Sequence, residues 1–264
     1  MTLWEAFVLG VVQGATEFLP VSSSGHLVLV HHAMGALDDV LVMDALLHLG
    51  SLVVIIGLFW RELWTVARAL LPGQAVEERR EGLRLLLFLV VGTVPLVIAG
   101  LTLRHVVEET FTSTWVTPLM LIVTGVLLLA AEFAPKREEG PVTTGRALGV
   151  GLAQCFAMLP GLSRSGVTIA VGLALGLSRL TAARFSFLLA IPALAGASLL
   201  GLKGAFGAES TSSLTLPVVV VGVLASMVAT WASVVLFLRF VRQRRLTAFA
   251  VYVMTLGVVV FWLQ

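Results

Sequence analysis

Six stretches of this chain are long, apolar and almost free of charge: roughly 43–60, 83–103, 115–134, 185–201, 215–238 and 246–263. Each carries at most one Asp, Glu, Lys or Arg. A hydrocarbon layer about 30 Å thick takes about 20 apolar residues of helix. Inside it every backbone N–H and C=O must find a partner within the protein, which leaves helices or a closed barrel. Runs of this length read as helices, so the expectation is an all-α polytopic membrane protein with six transmembrane helices. Composition agrees, with 58% hydrophobic residues, 12% charged and a mean hydropathy of +1.03. A soluble domain carries roughly 25% charged residues. A net charge of +2 excludes a nucleic-acid partner as the organising theme. Cys155 is the only cysteine, so no disulfide framework exists. The opening "MTLWEAFVLG" has no basic start and carries Glu5, so it reads as retained in the mature protein.

Four further apolar pieces, 2–19, 26–36, 147–159 and 167–177, are too short or too interrupted to cross. They form two pairs, and each pair brackets a polar knot: "LPVSSSGH" in the first and "LPGLSRSG" in the second. A short helix, a polar Pro/Gly turn and a second short helix is the pattern of a re-entrant hairpin. Such backbone is tolerated at membrane depth only when buried in protein or lining a wet cavity. If both hairpins return to their own side, the loops at 61–84, 135–146, 178–184 and 239–245 share one face. They carry 14 of the 17 Lys and Arg residues. By the positive-inside bias that face is cytoplasmic and both chain ends lie outside. "EERRE" at 77–81 then reads as a solvated loop, "RFVRQRR" at 239–245 as an anchor for anionic lipid, and "HH" at 31–32 as solvated near the outer surface.

The knots also suggest an internal repeat. Each is followed by three spans, and three is odd, so the second half is expected to be inverted. The halves are approximately 1–134 and 146–264 of one transmembrane domain. Transporters place ligand sites where inverted repeats meet on broken helices.

The knots hold unusual chemistry for this depth. Gln13 and Glu17 are four apart and share a helical face. A carboxylate at the membrane centre costs roughly 2.5–3.5 kcal/mol on insertion scales. It points to a ligand for a hard cation, an acid/base group or an internally paired charge. Ser22, Ser23 and Ser24 precede a short helix, where one serine suffices as a cap. His26 follows within one turn, so a Ser–His nucleophile and proton shuttle is one reading and a structural histidine another. In the second knot Ser163 and Ser165 flank Arg164, with Thr168 following. An arginine between helix N-termini is suited to phosphate, or to pairing with Glu17. Glu17 repels a bare phosphate, so the combination favours a metal together with phosphate. Asp44, His48 and Ser51 open the first full span; His48 is equally a lining residue or a functional one.

"GVVQGATEFLPVSSSGHL" and "PGLSRSGVTI" resemble the two signature regions of the undecaprenyl-diphosphate phosphatases of the BacA type. "LGSLVVI" and "FSFLLAIP" extend the resemblance over most of the chain. It implies hydrolysis of a polyprenyl diphosphate to the monophosphate plus phosphate. That recycles the lipid carrier of cell-wall synthesis and confers bacitracin resistance. It also implies a divalent cation, Mg²⁺ or Ca²⁺, a plasma-membrane location and a site open to the periplasmic side. Carried over by position, Glu17 and Gln13 match the acidic, metal-associated element. Ser23 matches the nucleophile and His26 the proton shuttle. Arg164, with Ser22, Ser24, Ser163, Ser165 and Thr168, matches the phosphate-binding element. The sequence departs from the family pattern at Gln13, Arg184 and Val253. Serine and metal-bound water both remain open as nucleophile, and a homodimer is the further partner to test. The rival readings are a polyprenyl-phosphate flippase or transporter of the same architecture and an inactive lipid-binding paralogue.

Overall fold

The computed structural model describes residues 1–35, 39–111, 113–133, 139–207 and 214–263. The described residues are helical throughout, without strands. In order they are α1 (Leu3–Thr16), α2 (Ser23–Met34), α3 (Val40–Leu58), α4 (Trp60–Ala69), α5 (Val76–Thr102), α6 (Arg104–Phe111), α7 (Val116–Phe133), α8 (Thr144–Phe156), α9 (Arg164–Ala174), α10 (Arg179–Gly207), α11 (Leu216–Gln243) and α12 (Thr247–Leu263). Five of these, α3, α5, α7, α10 and α11, are long and apolar enough to cross a membrane. The sixth expected span corresponds to α12, an apolar helix of 17 residues. The protein is a multi-pass membrane protein. Its surface agrees: Trp4, Leu101, Leu216, Val228 and Trp262 are all well exposed, which suits lipid and not water.

The basic segments expected as loops are mostly helix. Residues 61–84 hold α4 and the first turns of α5, so "EERRE" is helical and exposed. Residues 178–184 lead into α10, and 239–245 begin within the end of α11. Charged, amphipathic sequence has no apolar run to mark it, so hydropathy alone reads it as loop. Lys136 and Arg137 lie outside the described residues.

Both knots do break a helix pair. α1 and α2 flank the first, and α8 and α9 flank the second. The second arms start three residues earlier than their apolar runs, because a serine inside each knot caps the helix. Ser22 Oγ accepts from the Gly25 N–H at 3.2 Å, and Ser163 Oγ accepts from the Gly166 N–H at 3.0 Å. Gly161 makes the second turn possible. It sits at φ +88°, and a Cβ there would lie 2.3 Å from the Thr117 carbonyl.

Close backbone contact holds the arms in place. α1 lies along α11, and a Cβ on Gly10 would stand 2.2 Å from the Gly222 carbonyl. α8 lies along α5, and a Cβ on Gly151 would stand 2.4 Å from the Gly92 carbonyl. Without a hydrophobic drive between helices in lipid, small residues that let backbones touch supply the packing. α3 and α10 cross between these pairs, while α7 packs on α12. Phe187 of α10 stands at the centre, with Phe18 edge-on at 5.1 Å and Phe59 edge-on at 6.3 Å. Polar side chains inside are paired: Ser51 Oγ meets Ser226 Oγ at 3.1 Å and Thr230 Oγ1 at 3.0 Å.

Candidate active site

The two knots meet. Ser165 Oγ donates to the Leu19 carbonyl at 2.8 Å, and the Gly161 N–H donates to Ser24 Oγ at 3.4 Å. Arg164 Nη2 donates to Glu17 Oε1 at 2.6 Å. Beside this junction lies a cavity of about 250 Å³, lined at one end by Glu17, Ser22, Ser23, Ser24, His48, Gln154, Ser163 and Arg164. At the other end the walls are Leu96, Ala157, Met158, Ala193, Leu194 and Ala197. A void that is polar at one end and apolar at the other fits an amphiphile.

Glu17 is the hub. It follows the last turn of α1, and its Oε2 accepts from Ser23 Oγ at 2.6 Å and from Gln13 Nε2 at 3.1 Å. His48 Nε2 lies 3.6 Å from the same oxygen, while His48 Nδ1 donates to the Asp44 carbonyl at 2.6 Å. Arg164 is the first residue of α9 and Ser23 the first of α2, so both lie at helix N-termini. The Arg164 guanidinium also stands 5.6 Å over the Phe18 ring.

The sequence-expected residues divide. Gln13, Glu17, Ser22, Ser23, Ser24, Ser163 and Arg164 come together. His26 turns away from Ser23. Its Nδ1 donates to the Ser22 carbonyl at 2.8 Å, which leaves Nε2 to accept from the Tyr252 hydroxyl at 2.7 Å. Ser165 and Thr168 are buried but are not among the cavity-lining residues. Thr168 Oγ1 is taken up by the Arg164 carbonyl at 2.7 Å and Ser186 Oγ at 2.7 Å. "HH" is only half solvated: His32 is exposed, whereas His31 Nε2 reaches Asp44 at 3.2 Å. Arg184 pairs with Glu62 and stacks over Phe59, lining a different cavity. Val253 is fully buried. Gln154 was not anticipated from the sequence. The signal for it is the shared Gly-x-x-Gln of "GVVQ" and "GLAQ" at the same place in the two hairpins.

For a cation, the telling atom is Gln13 Oε1, a buried amide oxygen without a hydrogen-bond partner. It stands beside Glu17, and together they give two hard oxygen donors. Among the described residues no group of three His, Cys, Asp or Glu is assembled for a metal. Two donors nevertheless fit an ion such as Mg²⁺, which keeps waters and shares substrate phosphate oxygens.

The profile of the family described as Bacitracin resistance protein BacA matches residues 6–259. The chain belongs to that family. Its relatives match end to end. The undecaprenyl-diphosphatase of Desulfosudis oleivorans is 43% identical, over 98% of this chain and 97% of the relative. That of Gemmatimonas aurantiaca is 41% identical over 99% and 97%. The undecaprenyl-diphosphatase 1 of Shouchella clausii is 36% identical over 100% and 97%. BacA-family membership therefore covers both knots and every helix that builds the cavity.

Proposed function

We propose that this BacA-family protein is an undecaprenyl-diphosphate phosphatase, releasing phosphate and leaving the lipid monophosphate. The observation that carries the reading is the Ser23–Glu17–Arg164 constellation in a cavity with one polar and one apolar end. The names of the full-length relatives point to the same substrate. A carrier has use for Arg164 and helix ends, but not for a hydroxyl held 2.6 Å from a buried carboxylate.

In this reading the diphosphate enters the polar end and the first isoprene units lie against Leu96, Ala193 and Ala197. Arg164 and the N-termini of α2 and α9 face the phosphate oxygens. Ser23 Oγ attacks the terminal phosphorus as Glu17 Oε2 takes its proton. The bond to the bridging oxygen breaks, and the lipid monophosphate leaves with its electron pair. Water then attacks the phosphoserine, which returns the serine and frees phosphate. Phosphoryl transfer asks mainly for positioning and charge stabilisation, and the site supplies both. Gln13 and Glu17 would hold the divalent cation, which when bound offsets phosphate charge beside the carboxylate. His26 acts from outside the cavity, tying the Ser22 carbonyl at the hairpin tip to Tyr252 on α12.

The paired contacts α1 on α11 and α8 on α5 support an inverted repeat of halves approximately 1–134 and 146–264. The basic face supports an orientation in the plasma membrane with that face cytoplasmic and the cavity served from outside. Every lining residue comes from one chain, so the site needs no second copy. The test is phosphate release from undecaprenyl diphosphate by purified protein with Mg²⁺, with and without chelator. Metal-dependent release is expected. Its absence at any Mg²⁺ concentration contradicts the reading.

A further inference from the structure

The two hairpins begin alike and then differ at one position, and that difference exposes a ligand-facing group. "GVVQ" ends at Gln13 and "GLAQ" at Gln154, each three residues after the glycine that seats its helix on a neighbour's backbone. Four residues on, the same helical face carries Glu17 in the first hairpin and Met158 in the second. Gln13 Nε2 spends itself on Glu17 at 3.1 Å. Met158 offers only a weak thioether acceptor. Gln154 is accordingly left with neither Nε2 nor Oε1 hydrogen-bonded, although it is 0% exposed. It lines the cavity alongside Arg164, whose Nη1 is also buried and unpartnered. Buried polar groups in folded proteins are almost always satisfied, so two unmet donors on one void mark a ligand's place. Whichever way the amide is turned, it presents an N–H to a ligand beside Arg164.

We propose that Gln154 is a substrate-binding residue, its amide N–H donating to a phosphate oxygen of the prenyl diphosphate together with Arg164 Nη1. This rests on the phosphatase reading above and extends it to the second hairpin. Gln154 bears no charge, so it adds a donor without competing with Arg164 for Glu17.

The test compares wild type with Gln154→Leu and Gln154→Met, which keep the volume and remove the amide. kcat and KM are measured on undecaprenyl diphosphate in detergent, and thermal stabilisation by added inorganic phosphate is measured in parallel. The expected result is a drop in kcat/KM of at least tenfold, with an unliganded melting temperature at or above that of wild type. The phosphate concentration needed for half-maximal stabilisation should rise by a similar factor. Wild-type kinetics and phosphate response in either folded variant would overturn the proposal and leave buried water as the amide's partner. If wild type releases no phosphate, the phosphatase reading fails, and the phosphate-stabilisation arm still decides for or against Gln154.

Discussion

Glu17 has two oxygens for Arg164, Ser23, Gln13 and, at longer range, His48. Removing Arg164 strands a buried carboxylate, and breaking such a pair costs about 3–5 kcal/mol. Arg164→Met is therefore expected to lower the melting temperature sharply in detergent, and Glu17→Gln in the same chain to restore much of it. Neither variant should hydrolyse substrate, because phosphate grip and base are both tied to this pair. A fully active double variant would mean that the pair is structural only. Tyr252→Phe removes the hydroxyl from His26 while leaving the cavity lining intact. The expected effect is a modest fall in kcat, about 3- to 10-fold, with KM nearly unchanged; a loss matching Ser23→Ala would place Tyr252 in the chemistry itself. At this scale the sequence was legible where function is local. Gln13, Glu17, Ser23 and Arg164 sit in two short knots, and helix geometry ties them to their turns. It was not legible where a partner comes from far along the chain. His26 is drawn away by Tyr252, which is 226 positions distant, and Thr168 by Ser186, which belongs to another helix.

Among the elements, the hairpin arms stand or fall with their glycines. Gly10→Val forces a side chain into the Gly222 backbone, and overpacking typically costs about 1–3 kcal/mol. Gly57 on α3 faces open space, with no atom within 4 Å of where a Cβ would stand. Gly57→Ala should therefore be neutral or stabilising by a few tenths of a kcal/mol. Thermal melts of the two variants in one detergent check the contrast. Chain recognition belongs to α5 and α10. Ala197→Trp, at the apolar end of the cavity, should cut kcat/KM for the long prenyl substrate more than tenfold. Farnesyl diphosphate, whose chain is short, should lose less; equal loss on both would move the prenyl path elsewhere. The paired short helices were legible because a Pro/Gly/Ser knot interrupts each apolar run. α4 and the start of α5 were not, since their Arg- and Glu-rich turns lack the apolar length that hydropathy detects.

For the whole molecule, the two knots become one site only if the hairpins dip toward each other from opposite faces. That arrangement turns the polar turns, which lipid would not tolerate alone, into the lining of a single protein-enclosed cavity. It also fixes where the basic segments lie. With Cys155 replaced by alanine, single cysteines at Arg61 and Arg244 should be labelled only from the cytoplasmic side in oriented vesicles, and one at Thr2 only from the other. Labelling of Thr2 and Arg61 from the same face would break the topology on which the inverted arrangement depends. The central claim remains chemical: the hydroxyl of Ser23, held against Glu17 and beside Arg164, breaks the diphosphate. The most direct measurement is phosphate released from undecaprenyl diphosphate by wild type and Ser23→Ala, each purified and supplied with Mg²⁺. The account predicts turnover by wild type, one phosphate per lipid, and at least a thousandfold loss in the folded variant. Release by Ser23→Ala at near the wild-type rate would contradict it.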